Sequence, residues 1–550
     1  MSSKYLEKQK NSMKIALNAD SFNVIYKNNT LVFLSFLIIV SLSIRLYYTP
    51  FEIPIKLDGI DYFSFAFEVS KSHNFPVGIL YTNDGWPLFL SPIFSLIGHS
   101  DMMTLFNVQR ITSIFMSSLT IIPVYFLCKK FVSPKYSLIG ASLFGFNHQL
   151  IENSILGIAE SLFIFLITLM LIFALDKNKK LFLLSFIFLA LSSIVRYESL
   201  LFLIPLSIIF FIRFRKEKIS YFKYPLFILI FILILLPIAT LRMESNNVDG
   251  LTSHVLDIFT SPSTSYLTNL IDESAQVEPD PTRPETLETF TSNLFFNTFK
   301  FLGLISIPIF VVLLPGGVYR LIKTKNPNLV YLVILSIFMI LPAMYAYGRE
   351  MQDARYLFIL FPIFCVISVY GLDLTQRLKQ SKYIILIVSI VILSSILLLN
   401  YDQPDYTYHN EIYQITKDII KNVNGVNTYP GNSFVKIATL ENNWPNSLPL
   451  GNDNKITFFI KKIPSKNFTT LEDYIINSKD DGLSHIVLVE KNNSLFLDDL
   501  YHNYEKYSYL EEIYDSSNHN FKNRIVILKI DYPIFEKEML LQNISGSPLT

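Results

Sequence analysis

Apolar runs of 13 to 21 residues recur along the first 400 positions, separated by short polar connections, and the pattern stops at Asn400. Eleven such runs stand out: 31–47, 111–128, 136–150, 155–175, 181–195, 200–212, 224–241, 301–319, 329–347, 356–372 and 383–399. A bilayer's hydrocarbon core, about 30 Å thick, takes roughly 17 to 25 mostly apolar residues per helix. The runs therefore predict about eleven transmembrane helices, several at the short end of that range. Pro87–Ile97 is too short for a comfortable span, and counting it as one would move every later basic cluster to the wrong face. It is expected to lie as a helix in the membrane interface.

Past Asn400 the pattern changes. The runs FVKIATL, ITFFI, HIVLV and RIVILKI read as strands and alternate with helical stretches at 411–422 and 471–478, which predicts a C-terminal α/β domain over 401–550, about the size of one domain. The division expected is thus a segment 1–30, a membrane domain 31–400 with larger loops at 48–110 and 244–298, and the C-terminal domain. The loop at 244–298 is rich in Pro, Ser, Thr and acidic residues; a lid or an irregular connection are the two readings of it.

Composition agrees with the membrane class: 51% hydrophobic, 15% aromatic and 17% charged residues, with a mean hydropathy of +0.39. The net charge of +1 hides an alternation. Lys4 to Lys27, Lys129 to Lys135, Lys177 to Lys180, Arg213 to Lys223, Arg320 to Lys325 and Arg377 to Lys382 hold 22 cations, against nine in the intervening connections. Cytoplasmic loops carry such an excess, so a multi-pass protein of the cell membrane is expected, with a cytoplasmic N-terminus and an extracytoplasmic C-terminal domain. The polar first thirty residues, followed by a span-length apolar run, predict an anchor and no cleavable signal. Cys128 and Cys365 fall inside apolar runs and predict no disulfide framework. Zinc-site spacing, a P-loop and GxGxxG are lacking, and nucleic acid is not an expected partner.

Candidate chemistry collects at the ends of the apolar runs on the expected outer side. Asp58, Tyr62 and Ala66 share one helical stripe at four-residue spacing, with Asp61 beside it at i+3. Two carboxylates so placed could share proton transfer or hold a divalent cation such as Mg2+ or Mn2+; the bland alternative is that Asp58 caps its helix. Glu160, Arg196 and Arg355 also sit tight against apolar runs, where charges usually face a cavity or a partner. Asp84, Asp101, Glu350 and Asp353 read better as loop residues in water.

The order of these motifs resembles the GT-C superfamily. They are Asp58-x-x-x-Tyr62-x-x-x-Ala66, Trp86-Pro87-Leu88, Arg110, Ala159-Glu160-Ser161-Leu162-Phe163, Arg196-Tyr197-Glu198 and Arg355-Tyr356-Leu357, spread over about residues 31–400. More narrowly, the chain resembles the branch of dolichyl-phosphate-mannose protein mannosyltransferases and lipid A aminoarabinose transferases. The resemblance implies transfer of a sugar from a polyprenyl-phosphate donor to a protein, lipid or glycan hydroxyl on the outer face, with inversion. It implies Asp58 as base, with Asp61 as second carboxylate, and Tyr62, Arg110, Glu160, Arg196, Glu198, Arg349 and Arg355 as substrate-binding residues. The chain departs from the pattern at Gly59, where many members carry a second acidic residue, which leaves acceptor class and metal requirement open.

Three rival readings compete. An oligosaccharyltransferase catalytic subunit needs a WWDYG signature, and the two tryptophans, Trp86 and Trp444, cannot supply it. A transporter or lipid-linked glycan flippase would carry charged or Gly/Pro-broken segments near mid-membrane. A non-catalytic receptor displaying the C-terminal domain would be indifferent to Asp58.

Overall fold

The computed structural model describes residues 30–56, 58–76, 83–98, 101–215, 219–246, 287–324, 326–372, 381–422, 468–480, 482–489 and 495–545. The chain is mostly helical, with a small sheet near its C-terminal end. In chain order come α1 (Thr30–Tyr47), α2 (Asp58–Ser72), α3 (Gly85–Ile97), α4 (Met102–Leu119), α5 (Ile121–Lys129), α6 (Pro134–Gly145), α7 (His148–Ile155), α8 (Glu160–Ala174), α9 (Lys179–Val195), α10 (Leu203–Phe214) and α11 (Ile219–Asn246). Then follow α12 (Leu287–Ser306), α13 (Ile309–Lys323), α14 (Pro327–Gly348), α15 (Phe361–Leu372) and α16 (Ser381–Tyr401). The remainder is α17 (Tyr406–Asn422), α18 (Leu471–Ser478), β1 (His485–Val489), α19 (Leu495–Asn503), β2 (Leu510–Asp515), β3 (Ile525–Ile530) and α20 (Tyr532–Ser545). Two compact units result: residues 1–49, 79–93 and 108–403 form the first, and 50–78, 94–107 and 404–550 the second.

In the first unit, seven helical stretches among the described residues are long and apolar enough to cross a membrane. They are α1, Met102–Lys129, Tyr197–Phe214, Lys223–Ser245, α14, Ala354–Leu372 and Tyr383–Tyr401, and each contains or overlaps one of the apolar runs. The other four runs behave differently. Runs 155–175 and 181–195 form the shorter apolar helices α8 and α9. Run 301–319 is bent by 105° between α12 and α13, at Pro308, which has no N–H to continue the ladder. Run 136–150 is divided because Asn147 adopts an extended backbone and its side chain accepts the Leu150 N–H at 3.0 Å, starting α7 afresh.

Helices of this unit are apolar all round, yet they still have an inner face. Along α11, Phe227, Phe231 and Leu235 are buried while Leu229, Leu233 and Leu236 are exposed. On α16, Ile384, Val388, Val391 and Leu399 face inward and Ile385, Leu386, Leu393 and Leu397 outward. Apolar exposure on this scale is what a surface presented to lipid requires.

The interior also holds a charge within a nominally apolar run. Arg45 on α1 is fully buried and donates to the Gly145 carbonyl at 2.8 Å, the Ser41 carbonyl at 3.3 Å and Ser117 Oγ at 3.1 Å, and also to Ser41 Oγ. Ser41 Oγ itself donates to the Gly145 carbonyl at 3.0 Å. Three helices, α1, α4 and α6, are thereby tied by a guanidinium whose fork suits several acceptors at once. Cys128 and Cys365 are buried and free.

The second unit carries the sheet, in order β1-β3-β2, with both pairings antiparallel. Helices flank β1, whereas β2 and β3 follow each other across only a 3-10 turn at Ser516–His519, so the expected alternation of strands and helices holds in part; HIVLV and RIVILKI supply β1 and β3. β2, LEEIYD, is amphipathic and not apparent from hydropathy; FVKIATL and ITFFI lie outside the described residues. Ile486, Leu488, Val526 and Leu528 from the sheet pack with Leu471, Ile475, Leu500 and Phe535 from the covering helices. α17 joins this layer through Glu411, whose carboxylate accepts the Asn523 N–H at 3.3 Å, and Asp418, which accepts the Tyr514 hydroxyl at 2.8 Å.

Candidate functional site

Arg196 stands where four elements of the first unit meet. It follows the last turn of α9, and its extended backbone breaks the helix before the 3-10 turn Tyr197–Phe202. Its guanidinium donates to Glu160 Oε1 at 2.8 Å and to Glu198 Oε1 at 2.9 Å, and lies 5.7 Å from the centres of the Phe163 and Tyr356 rings. Glu160 opens α8 and is buried, so its charge meets both the positive end of that helix and Arg196. One arginine between two carboxylates is electrostatically saturated. This pattern does not suit capturing a further anion.

The turn before α8 is fixed by Gly157. Its φ of +73° is in the left-handed region, which favours glycine, and an added Cβ would come within 3.2 Å of Gln109 Cγ, beside the Arg110 backbone. Its carbonyl accepts both Trp86 Nε1 at 3.0 Å and Gln109 Nε2 at 2.8 Å. Arg110 is itself buried. One carbonyl thus gathers the Trp86-Pro87-Leu88 motif, the stretch around Arg110 and the start of the Glu160 motif.

Asp84 corrects the sequence reading, which put it in water. It is buried beside α3 and forms a two-pronged ion pair with Arg242 near the end of α11. Burial pushes its carboxyl up to about 6 against the opposing pull of Arg242. The next residue, Gly85, packs so closely that a Cβ would stand 2.6 Å from the Val195 amide nitrogen, one position before Arg196. Sequence reasoning missed this pair because its partners are 158 positions apart. It missed Arg45 because one charge inside an apolar run leaves the hydropathy signal intact.

The remaining loop carboxylates have local roles. Asp353 accepts the Arg355 N–H at 2.8 Å and pairs with the Arg355 guanidinium at 2.6 Å, both side chains being partly exposed. Glu350 accepts from Asn293 at 3.0 Å. Arg349 is partly buried and makes no ion pair among the described residues. In the second unit, Asp101 accepts Thr104 N and Oγ1 at 2.8 and 2.6 Å, capping α4, and these bonds hold its carboxyl below the usual range.

Asp58, Asp61 and Tyr62 lie on α2 in the second unit. The helix forms over the expected stretch and begins at Asp58, with Asp58 and Asp61 in its first turn. Asp58 is exposed, Asp61 and Tyr62 are half-buried, and Ala66 is fully buried. Both carboxylates sit at the positive end of the helix, so the capping reading and the catalytic one both fit this position. Among the described residues no three His, Cys, Asp or Glu side chains form a group that could hold a metal ion.

No protein-family model matches the chain, and no curated protein matches it. Solved structures similar to it include the oligosaccharyltransferase of Archaeoglobus fulgidus tethered with an acceptor peptide containing the NVT sequon, at 13% identity over 84% of this chain and 69% of that one, with a TM-score of 0.49. The same archaeal enzyme, AglB, in complex with an inhibitory peptide and a dolichol-phosphate gives 12% identity, 83% and 69% coverage and a TM-score of 0.45. ArnT from Cupriavidus metallidurans bound to undecaprenyl phosphate gives 9% identity, 90% and 97% coverage and a TM-score of 0.46.

Proposed function

We propose that this chain is a membrane glycosyltransferase that moves a sugar from a polyprenyl-phosphate donor to a hydroxyl of a protein, lipid or glycan acceptor on the outer membrane face. The observation that carries the reading is the Arg196 cluster, in which Glu160, Glu198 and the rings of Phe163 and Tyr356 converge on one guanidinium at the ends of apolar helices. Charged groups are costly at membrane depth and are kept where they serve a polar substrate.

A sugar on a lipid phosphate already carries a good leaving group, so the enzyme needs a base for the acceptor hydroxyl and cations for the departing phosphate. Asp58, exposed on α2, takes the base role, with Asp61 beside it and Tyr62 on the same stripe. Arg355 and Arg349 are the phosphate-binding residues, because Arg binds phosphate oxygens bidentately. Arg196, Glu160 and Glu198 position the sugar, and the buried Arg110 supports the same turn. A single displacement inverts the anomeric carbon. Were a Mg2+ or Mn2+ ion bound, Asp58 and Asp61 are the residues that would hold it, and it would offset phosphate charge.

The 105° bend between α12 and α13 favours a second reading, a transporter or flippase of lipid-linked glycans, since broken helices are the mark of such proteins. Mass analysis of cells lacking the chain separates the two. Under the transfer reading a glycoconjugate loses a sugar and its lipid-linked donor accumulates. Unchanged glycoconjugates, or restoration of the missing product by the Asp58→Asn chain, overturn it.

A further inference from the structure

Between α5 and α8 runs an open groove of about 560 Å³, walled by Leu119, Ile122, Phe126, Phe165, Leu169 and Ile172. Its lining is apolar except at one end, where Lys129 and Lys130 close it. Lys130 is paired with Asp176 at 3.0 Å, which fixes the adjoining ends of the two helices. Lys129 is exposed and makes no ion pair among the described residues, and Lys177 and Lys180 are exposed in the adjoining connection. The mouth therefore carries two lysines, one of them paired with an aspartate, while the rest of the wall offers nothing polar.

We propose that this groove is a binding site for an anionic glycerophospholipid, with an acyl chain along the wall and the headgroup phosphate on Lys129. Charge complementarity selects the headgroup, since basic pockets between transmembrane helices bind anionic lipid heads. Length selects the tail: the ten steps from Leu119 to Lys129 rise about 15 Å at 1.5 Å each, half of a hydrocarbon core about 30 Å thick. That is the reach of one leaflet's acyl chain, and a polyprenyl chain would exceed it. Asp176 holds Lys130 in place and leaves Lys129 to meet the phosphate. The site stands apart from the Arg196 cluster and needs no catalytic turnover to be detected.

The test uses the full-length chain, stripped of lipid in detergent and examined by native mass spectrometry with dioleoyl phosphatidylglycerol and dioleoyl phosphatidylcholine, which share their tails. Phosphatidylglycerol should be retained roughly tenfold better, and Lys129→Gln should cut that preference roughly fivefold, the effect of one surface lysine on an anionic lipid. Lys129 is exposed, so this variant leaves packing alone. Leu169→Trp, which fills the groove, should weaken retention of both lipids, and an unchanged thermal midpoint in lipid-free detergent shows that the variant is folded. Equal retention of the two lipids by the wild-type chain, undiminished preference in Lys129→Gln, or displacement of phosphatidylglycerol by an equimolar polyprenyl phosphate would each overturn the assignment.

Discussion

Asp84 and Arg242 form a buried ion pair across 158 positions of sequence, their side chains only 2% and 5% exposed. The pair anchors the end of α11 to the residue just before α3, beside the close contact between Gly85 and Val195 that leads into Arg196. A lesion there should reach the Arg196 cluster through packing.

Removing one partner leaves a buried charge without compensation, which costs about 3 to 5 kcal/mol. Asp84→Leu is therefore expected to lower the thermal midpoint in detergent strongly, whereas Asp84→Leu combined with Arg242→Leu should recover most of the loss. A double variant no more stable than the single one would show that the pair is not coupled.

The Arg45 knot gives a smaller effect. Hydrogen bonds to charged groups contribute about 1.5 to 3 kcal/mol, so Ser117→Ala, which deletes the 3.1 Å acceptor, should destabilise by about that amount. Arg45→Lys should cost at least as much, because an ammonium cannot span the acceptors on α4 and α6 together. Denaturant titration of the purified protein measures both.

Glu152 on α7 supplies a pH signature. Burial, with the nearby Asp402 carboxylate adding to it, pushes its carboxyl up to about 7. A carboxyl whose folded value lies above its unfolded one favours folding at low pH and loses that contribution as pH rises from about 4.5 through 7. Glu152→Gln should thus gain thermal midpoint relative to wild type at pH 8 and much less at pH 5. A difference that is the same at both values would contradict the shift.

The helices and the C-terminal strands of high hydropathy were legible in the sequence because they rest on local periodicity. α2 begins at Asp58 and α3 covers Pro87–Ile97 for that reason, and HIVLV and RIVILKI pair as strands. The break at Asn147 was written in a capping residue but masked by the apolar run around it. The role of Asp84 was not legible at all, since its burial depends on a partner from α11. For Glu160, Arg196 and Glu198 the sequence indicated the residues but not that one guanidinium bridges both carboxylates.

Arg355 tests the phosphate role. Asp353 already orients its guanidinium at 2.6 Å, and replacing Arg by Lys keeps the charge but loses the bidentate geometry. Kinetics with a polyprenyl-phosphate sugar should show weaker donor binding and slower turnover for Arg355→Lys and more so for Arg355→Ala. An Arg355→Lys enzyme equal to wild type in both would reduce the residue to an interfacial anchor.

The most direct measurement is sugar transfer by purified Asp58→Asn protein, read as free polyprenyl phosphate and glycosylated acceptor by mass spectrometry, with donor binding measured on the same sample. The change is nearly isosteric and deletes only the base, so transfer should fall about 10²- to 10⁴-fold while donor affinity and thermal midpoint stay near wild type. Activity above about a tenth of wild type, well outside that range, would make Asp58 a helix cap and contradict the assignment of the base.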